Sequence, residues 1–354
     1  MTERFWIERT SPTSVLLPAL LAALSLCACG GGGGSGGAGG GGSAVSWSPS
    51  SQGLQGGIVT TLSYRPLGNA AYAGLWLGGI YRSTDDGATW VPRRNGLPRL
   101  AQYGYHPVGG IAIDPSAPET MYAAVWDIED AAGNDRPGGV YKTTDGGQSW
   151  LPANNGLTGT DARAIAIDPD NPATLYVGTE RRGLFKTTTA GAGWTRSDSG
   201  MGSAEIRDLA VDPDLPQVVF AATDGDGVFR SADGGLTWVD INSGLTNLFV
   251  ESLALDPTAP TTLYAGTGLG VYKSTNGGGT WSSTSGGLTT LDVETSWNAP
   301  NSGVTNFDTT ALAMDVSDAR LLVGTAGAGT FGSADGGDTW SMASDGLDRY
   351  RARG

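Results

Sequence analysis

The chain has 354 residues, 58 of them glycine, with a formal net charge of -14 and only 16% charged residues. That balance excludes a nucleic-acid partner, because phosphate recognition needs a basic face, and it suits a β-rich protein with many tight turns better than a helical one. The only two cysteines, Cys27 and Cys29, lie near the N-terminus, and there is one histidine. The rest of the chain therefore has no disulfide framework and no zinc site.

In chain order, residues 14–26 form an apolar run too short to span a bilayer and of the length of a signal-peptide hydrophobic region. The following Leu26-Cys27-Ala28-Cys29 resembles the bacterial lipobox, in which small residues precede a cysteine that is acylated. The resemblance implies cleavage before Cys29, which has Ala at −1, whereas Cys27 has Leu there. Residues 30–42 are almost pure glycine and read as a flexible tether. The expected organisation is a signal peptide at 1–28, a tether at 29–44, a folded domain at 45–347 and a tail at 348–354. The expected address is extracytoplasmic, with a lipid anchor in a membrane, outer membrane or cell surface included.

Six segments share one eight-residue pattern. Ser83–Trp90, Thr143–Trp150, Ser231–Trp238 and Ser333–Trp340 carry the full Ser/Thr-x-Asp-x-Gly-x-x-Trp, with Asp85, Asp145, Asp233 and Asp335 at its third position. Thr187–Trp194 has Thr189 there and Ser274–Trp281 has Asn276, so these two are expected to be looser. Each pattern closes on its tryptophan: Trp90, Trp150, Trp194, Trp238, Trp281 and Trp340. The pattern resembles the Asp box, or BNR repeat, of sialidases, sortilin-type receptors, xyloglucanases and photosystem-assembly propellers. The aspartates are read as structural, accepting hydrogen bonds from the turn's own backbone while the tryptophan packs into the sheet.

Upstream of each pattern runs a common frame, clearest in Ala164–Pro169, Thr174–Thr179 and Gly183–Lys186. Alternating β-branched runs broken by Asp-Pro and glycine turns give four short strands per repeat, the blade of a β-propeller. The tryptophans are spaced by 44, 44 and 43 residues in the middle of the chain and by 60 and 59 at its ends, so the long steps hold insertions. The expected fold is therefore all-β: a six-bladed β-propeller of four-stranded blades, with seven blades as the alternative. Ala44–Trp47 mimics the end of a repeat and is expected to pair beside the last blade and help close the ring.

The propeller reading places the repeated turns on one face and all the insertions on the other, where binding sites on regular scaffolds concentrate. The insertions span Leu97–Gly110, Trp126–Gly138 and Leu288–Thr310. They contribute Tyr103, Tyr105 and His106, then Trp126, Asp127, Glu129 and Arg136, then Asp292, Glu294 and Trp297 as candidate binding residues. Trp76, Glu180 and Arg181 from shorter loops join them, as do Arg163, Glu205 and Arg207 at the starts of inner strands. Aromatics among carboxylates and arginines suit a glycan or protein ligand, by stacking and bidentate hydrogen bonding.

The Arg-Ile-Pro segment typical of sialidases is absent; Tyr64-Arg65-Pro66 is the nearest approach. Xyloglucanase-like enzymes use two carboxylates in a cleft between two propellers, and the frame here accounts for one propeller. No phosphate-binding loop and no nucleophile elbow occurs. No cofactor is expected, although Asp127, Asp130 and Asp135, or Asp224 and Asp226, are oxygen donors of the kind calcium takes. The leading expectation is a non-catalytic binding or assembly module for a glycan or protein, and the alternative is a glycoside hydrolase of the Asp-box superfamily. The lipobox reading makes a direct prediction: Cys29→Ala moves the protein from the membrane to the soluble fraction, and Cys27→Ala leaves it in the membrane.

Overall fold

A computed structural model describes residues 59–64, 70–85, 88–100, 104–129, 135–136, 138–158, 161–202, 204–284, 309–315, 320–325 and 329–342. Every regular element among them is a β-strand. The strands form four-stranded antiparallel sheets in which chain order runs from one edge to the other. Blade 1 spans Val59–Pro92, blade 2 Val108–Pro152, blade 3 Ala162–Arg196, blade 4 Ile206–Asp240 and blade 5 Val250–Ser283. A further sheet of the same order spans Thr309–Met342.

The local reason for each blade lies in its residues. The second strand is buried along its whole length, as in Leu175–Thr179, because sheets cover it on both faces. The third strand ends in the Ser or Thr that opens the repeated turn, and the short fourth strand begins after the tryptophan. In blade 4, Asp233 Oδ1 accepts the Thr237 amide at 2.9 Å and the Ser231 hydroxyl at 2.8 Å, so one carboxylate closes the turn. Gly235 takes φ +85°, a conformation that a side chain would strain.

The two variant turns differ from each other, and only one is looser as expected. Asn276 reproduces the closure: its Oδ1 accepts the Thr280 amide at 2.9 Å and its Nδ2 donates to the Thr280 hydroxyl. An amide does the carboxylate's work here, so this turn is no looser than the others. Thr189 makes only a 3.2 Å contact with the Thr187 hydroxyl, faces Gly193 where other turns have Ser or Thr, and leaves Ala190 at φ +54°. That turn is the weaker one.

Neighbouring blades are joined by one repeated set of bonds. The indole N–H of Trp150 donates to the Arg93 carbonyl at 2.8 Å, Trp194 to Ala153 and Trp238 to Ser197 at 2.7 Å, and Trp281 to Ile241 at 2.6 Å. Trp340 donates likewise to Thr284. Each acceptor lies in the blade before. In the opposite sense, the Tyr176 hydroxyl and Lys186 ammonium both donate to the Gly234 carbonyl in the turn of the next blade. Tyr264 and Lys273 do the same to Gly336. Burial pushes the phenols of Tyr122, Tyr176 and Tyr264 up to about 12, so they remain donors at any physiological pH.

The expected blade count and ring need correction. Five blades, Val59–Ser283, are described with side chains on all four strands; the Thr309–Met342 sheet is described in backbone and only part of its side chains. Among the described residues, hydrophobic clusters join sheets at five successive interfaces. The innermost strands pack in the order Val59–Tyr64, Val108–Ile113, Ala162–Ile167, Ile206–Val211, Val250–Leu255, Thr309–Asp315. Among the described residues no comparable packing links the first of these to the last. A cluster on blade 1, from Val59 to Trp90, contains residues of that blade alone. The protein is thus a β-propeller in which five blades are fully described, and neither the six-bladed expectation nor the seven-bladed alternative stands. Ala44–Trp47, expected beside the last blade, lies outside the described residues.

The turn geometry makes two predictions. Thr189→Asp supplies the carboxylate that the Gly193 amide lacks and stabilises the protein by about 0.5–1.5 kcal/mol in chemical unfolding. Hydrogen bonds from the Ser or Thr four residues on hold Asp145, Asp233 and Asp335 down at about 2. A depressed carboxyl contributes stability that is present above its unfolded value near 4 and is lost as pH falls towards 2. Thermal stability therefore drops across that window, and Asp233→Asn, which copies the natural Asn276 turn, makes the drop shallower.

Candidate functional site

The end of the blades opposite the repeated turns holds a connected polar and aromatic cluster around the innermost strands. Each inner strand slips register at one step, and the residue set off by the slip is Thr60, Gly109, Arg163, Arg207, Glu251 and Thr310 in turn. A β-bulge re-aims the side chain it carries. The repeat therefore delivers one side-chain position per blade to the same rim, filled by glycine in blade 2, arginine in blades 3 and 4 and glutamate in blade 5.

Arg163 is the centre of the cluster. Its guanidinium lies 3.8 Å from the centroid of the Trp126 ring and pairs with Glu180 and, at 3.1 Å, with Asp161. Trp76 meets Trp126 edge to face, with centroids 4.9 Å apart and planes at 84°. Trp126 fits because blade 2 has glycine at the bulge: a Cβ on Gly109 would sit 2.3 Å from the Trp126 Nε1 and 2.1 Å from the Arg163 carbonyl. The Trp126 Nε1–H is buried and has no hydrogen-bond partner among the described residues. Such a donor is costly unless something accepts from it.

A second group repeats the motif one blade on. Arg207 pairs with Asp224, and the Asp224 amide donates to the Glu205 carbonyl at 3.0 Å. Phe249, 57% exposed, follows on the same rim, bridged to Asp224 in the backbone. The rim thus runs from paired tryptophans through two arginine–carboxylate groups to an exposed phenylalanine.

The carboxyls of the first group do not titrate independently. Burial, then the hydrogen bond to Glu180, pushes Asp161 up to about 7, while the same bond and Arg163 hold Glu180 down. Burial thus favours the neutral form of Asp161, and the Arg163 guanidinium favours the charged form of Glu180. Burial also raises Glu205. Asp208, pushed up to about 6 by burial, accepts the amides of Leu209 and, at 2.9 Å, of Leu253 in the next blade. That residue is an inter-blade strut behind the rim.

Of the residues expected from sequence, Trp76, Trp126, Arg163, Glu180, Glu205 and Arg207 fall in this cluster. Asp127 borders it, its amide donating to Asp161 and its carboxylate accepting from Gly138. Arg181 is exposed beside Glu180. His106 is 2% exposed with Nδ1 2.9 Å from the Trp126 carbonyl, so it supports the site from beneath. Tyr105 packs on the core, with the guanidinium carbons of Arg94 and Arg99 4.9 and 5.2 Å from its ring centroid. The first two insertions are short hairpins, Arg99–Leu100 with Gly104–Tyr105 and Ile128–Glu129 with Asp135–Arg136. Tyr103, Asp292, Glu294, Trp297 and the side chains of Glu129 and Arg136 lie outside the described residues.

Sequence reasoning missed Asp161 and Phe249, although the signal was there. Asp161-x-Arg163, Glu205-x-Arg207 and Phe249-x-Glu251 occupy one repeat position. No cluster of three metal-binding side chains occurs among the described residues.

No family model matches the chain. Two curated relatives align with part of it: a xyloglucanase of Hypocrea jecorina, 29% identical over 150 residues, and the xyloglucanase Xgh74A of Acetivibrio thermocellus, 34% identical over 116. Those segments are 38% and 30% of this chain but only 17% and 13% of the relatives. Among solved structures, an ancestral GH74 enzyme superposes with TM-score 0.60 and 17% identity, over 85% of this chain and 40% of its own. YCF48 bound to D1 peptide superposes with TM-score 0.54 and 17% identity, over 82% of each chain. At such identity these likenesses show the fold, an all-β propeller.

The carboxyl pair sets the pH response of the cluster. A carboxyl raised above its unfolded value costs stability that grows as pH rises from about 4 to about 7. Asp161→Asn removes that slope, so the melting temperature of the variant falls less between pH 4 and 7 than that of the unaltered protein.

Proposed function

We propose that the protein is a non-catalytic carbohydrate-binding propeller, held outside the cytoplasmic membrane by a lipid on Cys29, with the Trp76–Trp126–Arg163 rim as its binding surface. The observation that carries this reading is Trp126. Its ring is backed by a guanidinium and a second indole, and its buried N–H lacks a protein acceptor among the described residues. Sugars present apolar ring faces bordered by hydroxyls, which suit an indole flanked by fixed carboxylates and arginines. The partial sequence likeness to xyloglucanases supports a plant-type β-glucan as the first ligand to try.

A second reading, glycoside hydrolysis, is favoured by Asp161, a carboxyl held protonated near neutrality as a general acid must be. Against it, Asp161 and Glu180 are both clamped on one guanidinium, that of Arg163. Hydrolases separate their two carboxyls by about 5 Å or more so that the sugar fits between.

The test uses xyloglucan and mixed-linkage β-glucan with the full chain in detergent, reading binding by calorimetry and turnover by reducing-sugar release. Saturable binding that Trp126→Ala weakens at least tenfold, with no sugar release, is the expected outcome. Sugar release abolished by Asp161→Asn would replace this reading with the hydrolase, and absence of both would reject a glucan ligand.

A further inference from the structure

The interface between blades 2 and 3 lacks a side-chain acceptor that its neighbours have. In the turns of blades 2, 4 and 5 and of the Thr309–Met342 sheet, the residue at the third position accepts, at 2.9 Å, the amide of the residue four on. In Asp145, Asp233 and Asp335 that acceptor is a carboxylate. Blade 3 has Thr189 at the same position, and among the described residues the Gly193 amide has no acceptor.

The lysine that faces this turn lacks an anion as well. Lys142, Lys186 and Lys273 each reach from a third strand to a carbonyl in the turn of the next blade. Burial holds Lys186 below the usual lysine range, opposed by the carboxylates of Asp168 and Asp233. Lys273 lies 3.8 Å from Asp338. Lys142 is half-buried and makes no ion pair among the described residues. It is also held further off its carbonyl. A Cβ on Gly234 or Gly336 would lie 3.2 or 3.1 Å from the lysine nitrogen, and blade 3 carries that Cβ, on Ala190. Lys142 accordingly donates to the Ala190 carbonyl at 3.1 Å, against 2.6 Å from Lys186 to Gly234 and 2.5 Å from Lys273 to Gly336.

The place left by the missing side chain is open. A groove of about 410 Å3 lies there, between Lys142, Leu151 and Asn155 on the blade 2 side and Thr189, Ala190 and Ala192 of the blade 3 turn. That volume falls within the range of ligand pockets, roughly 300–1,000 Å3. We propose that this groove binds an acidic peptide segment, one carboxylate of which takes the place that Asp233 fills in the next turn, accepting from the Gly193 amide and lying against the Lys142 ammonium. A carboxylate is the group that the repeat itself sets against such an amide, and charge-assisted bonds are the strong ones. The Asp145 carboxylate of blade 2 does not supply it, being engaged with Thr143 and Ser149 in its own turn. A peptide is favoured over an acidic glycan because no aromatic ring lines the groove to stack on a sugar. Leu151, 70% exposed, and Pro152 offer an aliphatic wall instead. The groove adjoins a repeated turn, at the end of the blades opposite the Trp126 rim, so it does not depend on the sugar-binding proposal.

The experiment follows the fluorescence anisotropy of a fluorescein-labelled tetraglutamate peptide titrated with the full chain in detergent, with tetraglutamine carrying the same label as the neutral control. The net charge of -14 disfavours adventitious binding of this probe elsewhere on the chain. Saturable binding of tetraglutamate and none of tetraglutamine is expected. Thr189→Asp builds the carboxylate into the turn, so it should weaken binding about tenfold or more while raising the melting temperature, which separates loss of the site from loss of the fold. If that variant does not fold, Thr189→Asn, which copies the Asn276 turn, fills the same place. Lys142→Gln should weaken binding about threefold. Tetraglutamate that fails to bind the unaltered chain, or that binds the folded Thr189 variant equally well, would overturn the proposal. Displacement of the peptide by tetragalacturonate at equal or lower concentration would overturn the choice of a peptide and give the groove to an acidic glycan.

Discussion

The bond on which the rest of the molecule depends is the one from each repeat's tryptophan indole to a carbonyl of the blade before. A four-stranded blade cannot bury both faces by itself. Each indole is a large apolar plate with one polar atom, so it fills an interface only where a carbonyl meets its N–H. The outer strand of the preceding blade supplies that carbonyl, and the glycine three residues later lets the chain turn close enough to receive the tryptophan backbone as well. Tyrosine and lysine return the contact in the other direction. The return bond is made at the interfaces where tyrosine and lysine stand; blade 4, with Phe220 and Arg230 at those positions, relies on the indole bond of Trp281.

The repeat also lines up the rim proposed above as the binding surface. The bulge in every inner strand presents one variable residue per blade at the same height. Glycine in blade 2 admits the Trp126 ring, and arginine in blade 3 lies against it. The rim residues are thus the positions where the repeats disagree, while positions where they agree carry the fold. The acid responses separate in the same way: the turn aspartates act between pH 2 and 4, and Asp161 between about 4 and 7.

Much of this was legible in the sequence because it is local. The Asp-x-Gly-x-x-Trp turn, the Asp-Pro turns and the buried second strand each show in a few residues, and the structure has them where the spacing puts them. Sheet-to-sheet closure was not legible, since a repeat encodes its interface with a neighbour and says little about the curvature summed over the chain. His106 read as a site residue because histidine is rare and sits in an insertion; its burial beneath Trp126 depends on a fold-back of the Arg99–Tyr105 hairpin that no pattern announces. Asp161 was passed over because its meaning comes from Glu180, 19 residues on, and from the bulged Arg163 between them.

Whether the indole bonds hold the blades together is read by hydrogen–deuterium exchange at the tryptophan indoles, followed by NMR on protein labelled with 15N-tryptophan. The indole protons of Trp150, Trp194, Trp238 and Trp281 are expected to exchange slowly and together, because none is released until two blades separate. Exchange at those four sites as fast as in an unfolded peptide, with the protein still folded, would show that the interfaces do not depend on these bonds.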